Sequence, residues 1–234
     1  MLILAAFGML IFQQLSSAAA AAAALFFDYS RIDPDNAFME VSVHHALQVI
    51  PAFAALLILA RLFKFDFHIR FKPSKKGFKS VGLFLAAVTA YIVLAYIIGY
   101  KLNMVAPYGY PLNSRNITGT LSFQLFLSGP SEEILFRALP IAVFARILNE
   151  EDKTVSWASV IITAFLFSLA HISWSLTPPS MSFDTIQLLY CFAVGTAYGV
   201  VFMKTKSVVY PMIMHSMSNI ISFGIGYLII LFFK

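Results

Sequence analysis

A chain of 234 residues that is 60% hydrophobic and only 12% charged does not read as a soluble domain, which carries roughly 25% charged residues and about half apolar ones. Lipid must be the solvent for much of its surface. The formal net charge of +5 does not point to nucleic acid, because the basic residues fall in short stretches between apolar segments, where membrane topology accounts for them. Cys191 is the single cysteine, which excludes an intramolecular disulfide and any cysteine-based metal cluster and reads as a buried, inert thiol.

A spanning helix needs about 20 mainly apolar residues, and the first candidate is Leu2–Phe27. No Lys or Arg precedes it, so a cleaved signal peptide is poorly supported. Its run Ala18–Ala24 is a strong helix former that lets neighbouring helices approach closely. An acidic loop with Asp28, Asp33, Asp35 and Glu40 leads to the second span, His44–Phe63, where His44 and His45 read as interfacial residues. The densely basic stretch Arg61–Lys79 precedes the third span, Val81–Tyr100. That stretch could bind anionic head groups, although topology alone explains it.

After a loop rich in Pro, Tyr, Gly and Asn comes a long fourth segment, Thr120–Leu148, expected to break at Gly129-Pro130. Asn149–Thr154 reads as a polar turn and Val155–Ile172 as the fifth span. Ser173–Asp184, with Pro178-Pro179, cannot stay helical throughout. The sixth span is Ile186–Met203, with Asp184 placed to cap it. Lys204–Ser207 is a tight turn, and Val208–Phe233 is the seventh span. Trp157 and Trp174 read as interface anchors, and Gly195 with Gly199 as a small-residue packing face.

The expected fold is therefore all-α. It is a polytopic transmembrane bundle of about seven spans (six to eight), with broken or re-entrant helices around the site. Residues 1–119 would supply the N-terminal helices and loops, and 120–234 the catalytic core of one membrane domain. Arg61, Lys64, Arg70, Lys72, Lys75, Lys76 and Lys79 share one side with Arg146/Lys153 and Lys204/Lys206. That places the N-terminus inside and the C-terminus outside. The expected location is the plasma membrane of a bacterium or archaeon, with lipid as the immediate partner and the oligomeric state left open.

Ionisable groups inside a span cost roughly 3 kcal/mol each and are a functional signal by default. Three sets stand out. In Gly129-Pro130-Ser131-Glu132-Glu133-Ile134-Leu135-Phe136-Arg137, Pro130 can open a helix with both glutamates in its first turn. Glu133 and Arg137, four apart, can pair, while Glu132 points about 100° away and stays free. Helix capping would explain one of these acids but not two. The second set is Phe167-Ser168-Leu169-Ala170-His171, and the third holds His215 and Asn219 on one helical face. A lone His or Asn in a span is commonly structural, as interhelical glue.

Together a free carboxylate, two imidazoles and a carboxamide are what amide hydrolysis needs: a base for water and donors for an oxyanion. Glu132, His171 and His215 could alternatively ligate zinc. The H-E-x-x-H helix is absent, so three separate helices would have to assemble such a site.

E-E-x-x-x-R at Glu132–Arg137, F-x-x-x-H at Phe167–His171 and H-x-x-x-N at His215–Asn219 resemble the CPBP family. So does the stretch Gly195-x-x-x-Gly199, Lys204-Thr205-Lys206-Ser207 and Pro211-x-x-x-His215. That family includes the type II CaaX prenyl endopeptidases and bacteriocin-processing or immunity proteins. The resemblance covers roughly Ser128–Asn219. It implies a glutamate-dependent intramembrane endopeptidase, with a metal requirement that is disputed. By motif, Glu132 would be the general base, aided by His171, with His215 and Asn219 at the oxyanion and Glu133 and Arg137 bracing the site. The substrate would be a membrane-associated protein or peptide, prenylated in the eukaryotic members. The competing readings are a non-catalytic scaffold or immunity protein on the same fold, and a small proton-coupled transporter.

One conflict follows from these boundaries. His171 lies about 16 residues from the inner face and His215 about eight, a depth difference of about 12 Å at 1.5 Å per residue. The two converge only if Ser207–Pro211 is a sunken loop or the fifth helix starts well below the membrane.

Overall fold

The computed structural model describes residues 1–148, 156–176 and 178–233. The polar turn at 149–154, the start of the fifth span at 155, and Lys153 in the charge count lie outside the described residues. The chain is an all-α membrane bundle. Helix α1 (Leu2–Ala24) packs along α2 (Met39–Phe63), and α3 (Lys75–Lys101) packs along the C-terminal helix. The helical run Ser114–Ile147 contains α4 (Ser114–Phe123), α5 (Gly129–Glu133) and α6 (Leu139–Ile147), joined by π-helical turns at Gln124–Ser128 and Ile134–Ala138. Helix α7 (Trp157–Leu169) is followed by a hairpin of β1 (Ser173–Leu176) and β2 (Pro179–Ser182), then α8 (Thr185–Thr205) and α9 (Val209–Phe233).

Among the described residues, five helices are long and apolar enough to cross a membrane: α1, α2, α3, α8 and α9. The fourth and fifth expected spans differ from that pattern. Helix α7 has 13 residues, about 20 Å at 1.5 Å per residue.

The expected break at Gly129-Pro130 takes the form of a π-helical interruption rather than an exit from the helix, and Pro130 lies in the first turn of α5. Gly129 is helical, with φ −56° and ψ −53°, and the run continues from α4 to α6. A proline inside an α-helix removes a donor and drives its ring into the carbonyl four residues back. Here a π turn ends just before Gly129-Pro130, and a second ends just before Leu139-Pro140. The wider i→i+5 turn accommodates what an α turn could not. Gly129 serves close packing instead: a Cβ there would lie 2.8 Å from Ser216 N and 2.9 Å from Met212 O of α9.

The non-helical stretch after His171 is the antiparallel hairpin, with Ser173 opposite Ser182 and Trp174 opposite Met181. Asp184 caps α8, its Oδ1 accepting from the N–H groups of Ile186 and Gln187.

Helix α2 begins five residues before the expected His44, for a reason that lies outside it. The Asp33 carboxylate accepts the N–H groups of Ala37, Phe38 and Met39 at 2.7–2.9 Å. These are donors at a helix start that would otherwise be orphaned. Desolvation works to raise the Asp33 pKa, but the three backbone donors, helped by Arg115, hold the carboxyl below its ordinary value.

The depth conflict resolves at the start of α9. Residues 64–74 fold over it: Val208 N–H donates to His68 O at 3.0 Å, Ser207 Oγ to Arg70 O at 3.0 Å and Tyr210 Oη to Lys72 O at 2.9 Å. Ser207, Val208 and Tyr210 are fully buried. The beginning of α9 is thus sunk beneath protein, where non-helical backbone next to a membrane helix is tolerated.

Candidate active site

Successive residues on a helix diverge by about 100°, and α5 uses this to give two neighbouring glutamates opposite environments. Glu133 is fully buried. Its Oε1 lies 3.2 Å from Arg137 Nη1 and accepts from His215 Nδ1 at 2.9 Å. An imidazole that donates from Nδ1 to a carboxylate presents Nε2 on its other side, and here Nε2 lies 3.8 Å from Glu132 Oε2. Glu133 therefore fixes the ring of His215 with respect to Glu132.

Arg137 is also fully buried. Its contact with Glu133 is an ion pair without hydrogen-bond alignment, and among the described residues the guanidinium nitrogens have no hydrogen-bond partner. Aromatic faces compensate: the guanidinium carbon lies 4.2 Å from the Phe167 ring centroid and 5.3 Å from that of Tyr198. Gly195 leaves the space it occupies, since a Cβ there would sit 2.8 Å from Arg137 Nη2. Tyr198 in turn stacks on His215 at 5.3 Å.

Glu132 keeps about 15% of its side chain exposed, and that exposure faces a small polar cavity. Its Oε1 accepts from Ser128 Oγ at 3.3 Å. The cavity, about 180 Å³, is bounded by Glu132, His171, Phe136 and polar side chains of α1 and α2. His171 sits two residues past the end of α7, with Nδ1 2.9 Å from Phe167 O. Because a carbonyl only accepts, Nδ1 carries the proton and Nε2 is left as an acceptor. Phe167 is the common wall, edge-on to His171 at 5.0 Å and to His215 at 5.6 Å.

Asn219 is one turn beyond His215. Its Nδ2 donates to Gln124 Oε1 at 2.8 Å and to Ser128 Oγ at 3.0 Å. Both amide hydrogens are thereby used, and Asn219 reaches Glu132 through Ser128. Direct donation to an oxyanion requires one of these bonds to open.

His45, expected only as an interfacial residue, also reaches the site. It lies in the second turn of α2, with Nδ1 3.1 Å from Ser131 Oγ and 3.7 Å from Glu132 Oε1. The Ser131 hydroxyl hydrogen is directed to Leu127 O at 2.7 Å, so Ser131 accepts from His45. Gln124, Ser128 and Gln13 also belong to the surroundings of Glu132. The signal that would have found His45 and Gln13 is the one applied to Glu132, a polar group within an apolar helix.

Among the described residues no three His, Cys, Asp or Glu side chains gather at metal-ligand spacing. One imidazole nitrogen of His171 is engaged by Phe167 and one of His215 by Glu133. The other nitrogen of each ring stays available, as in a metal-ligating histidine, but at the present spacing Glu132, His171 and His215 do not close a three-donor shell.

Residues 114–221 match the family model described as Type II CAAX prenyl endopeptidase Rce1-like. No curated protein and no solved structure matches the chain. The matched segment opens at α4, ends within α9 and contains all three motifs, while α1 and α2 with His45 lie outside it. By this segment, a little under half of the chain, the protein resembles the CPBP/CAAX proteases, with a CAAX-type intramembrane endopeptidase domain set in an integral membrane protein.

Proposed function

We propose that the chain hydrolyses a peptide bond of a membrane-associated protein or peptide by glutamate-dependent catalysis. A lipid-anchored substrate, prenylated as the family description suggests, is the class to test first. The observation that carries this reading is the contrast on α5. Glu133 is consumed by Arg137 and His215, whereas Glu132 faces a polar cavity with imidazoles on either side.

Glu132, assisted by the acceptor Nε2 of His171, takes a proton from a water in that cavity as the water oxygen adds to the scissile carbonyl carbon. Negative charge develops on the carbonyl oxygen. His215, held by Glu133, supplies the nearest fixed donor when its Nε2 is protonated, and Asn219 joins it if an amide hydrogen is released from Gln124 or Ser128. The carbon–nitrogen bond then breaks, and Glu132 returns its proton to the leaving amine. Glu133, Arg137 and Phe167 position these groups and do not react.

The test is cleavage of anchored and prenylated peptides by the purified protein in lipid nanodiscs. Wild type is compared with Glu132→Gln, each with and without chelator. Loss of cleavage by at least about 10³-fold in Glu132→Gln is expected, the scale of a lost general base, while the variant stays inserted and folded. Retained cleavage sinks the assignment. Chelator sensitivity would show that a metal takes part after rearrangement of Glu132, His171 and His215.

A further inference from the structure

Hydrolysis inside a bilayer needs a supply of water, and the structure contains one route lined for it. The cavity at Glu132 does not end there. At His44 and His45 it shares its wall with a second cavity of about 330 Å³, whose other walls include Ala21 and Ala24 of α1, Asn36, and Glu40 of α2. The second cavity ends at the 25–38 connection. That is the opposite end of α2 from residues 64–74, which cover the start of α9.

The walls of this path are polar along one side and small along the other. Glu40 and His44 are four apart on α2 and share a face. His44 lies 3.4 Å from Ser17 Oγ and 5.4 Å, ring to ring, from His45, which is 3.7 Å from Glu132. On α1, the alanines of the Ala18–Ala24 run project only a methyl group, so α1 can lie along α2 and still leave a groove. Gln13 closes the inner end. Its Nε2 donates to Leu135 O at 3.2 Å, and its Oε1 is buried with no hydrogen-bond partner among the described residues. A buried amide oxygen of that kind is destabilising unless a donor reaches it. The inner cavity has room for several waters at about 30 Å³ each.

We infer that the groove between α1 and α2 is the water entry of the site, leading from the 25–38 connection past Glu40, His44 and His45 to Glu132. It explains why a helix outside the family-matched segment lines the cavity with Gln13, Gln14 and Ser17, and carries alanines where bulk would obstruct. The inference rests on the reading of Glu132 as the group that activates water.

The experiment places single cysteines in a Cys191→Ala background, in nanodiscs, and follows labelling by a charged, membrane-impermeant methanethiosulfonate. Ser17→Cys is expected to react at least about tenfold faster than Leu15→Cys, whose site faces lipid rather than water. Adding Ala21→Phe, or Val41→Phe as a second obstruction, should slow Ser17→Cys labelling to the Leu15→Cys rate and slow peptide cleavage with it. Equal labelling at the two positions, or labelling indifferent to both obstructions, overturns the water entry even if cleavage remains Glu132-dependent. Fast labelling at Ser17→Cys that the obstructions block, in a protein that cleaves nothing, upholds the entry and rejects the protease reading.

Discussion

The two halves of this molecule handle polar groups inside the membrane in different ways. In the family-matched half, Glu133, Arg137 and His215 are nearly sealed from solvent and hold one another in a fixed geometry. In α1 and α2, the polar groups Gln14, Ser17 and His44 are only partly buried and line open space. The first arrangement fixes angles and distances, and the second admits solvent. Catalysis in lipid needs both, and the family match alone reports only the first.

Breaking the sealed half should have the largest effect on stability. Glu133→Gln leaves Arg137 buried without its counter-charge and replaces the charge-assisted bond to His215 with a weaker neutral one. Removing one partner of a buried ion pair typically costs about 3–5 kcal/mol. Thermal unfolding in detergent should show that loss together with loss of cleavage, whereas Glu132→Gln should lose cleavage alone. Equal stability of the two variants would contradict the division of labour on α5.

A substitution from the open half tests whether α2 reaches the chemistry. His45→Gln should lower kcat by about 10²-fold, the lower end of what a positioned proton-transfer group contributes, with KM little changed. An unchanged kcat would confine the reaction to residues 114–221.

The packing of the sealed half can be probed more gently. Gly195→Ala places a methyl group against the Arg137 guanidinium and the Phe167 ring. Overpacking of this kind costs about 1–3 kcal/mol, read as a lower unfolding midpoint, and Gly82→Ala, with open space around its Cβ, is the control.

The smallest effect concerns the start of α2. Asp33→Ala should cost about 1 kcal/mol, as loss of an N-cap does. The Asp33 carboxyl is held below its ordinary value in the folded protein. Its contribution is therefore present above the unfolded value of about 3.9 and is lost as the pH falls through the lower folded value. The stability difference between wild type and Asp33→Ala should shrink on acidification; a difference that grew would reverse the sign.

How much of this was legible in the sequence varied with the range of the interaction. Glu133 pairing with Arg137, Asp184 capping α8 and the tight turn at Lys204–Ser207 are contacts within a few residues, and spacing is enough to predict them. The contact of His45 with Ser131 spans 86 positions, so its spacing along α2 does not show it. Gly129-Pro130 marks where the α-helix is interrupted, but an i, i+4 pattern does not register the π turns that form the interruption. The contact of Gln13 with Leu135, 122 positions apart, has no local signature at all.

The π turn before Gly129 also sets a phase. A π turn amounts to one extra residue in an α-helix, and each residue turns the helix by about 100°. The face that α4 turns toward α9 is therefore dialled independently of the face on which α5 carries Glu132. Removing one residue between Gln124 and Ser128 would leave a more regular helix whose two glutamates point the wrong way. The irregularity is what lets a single helix serve as a packing strut at one end and as the carrier of the site at the other.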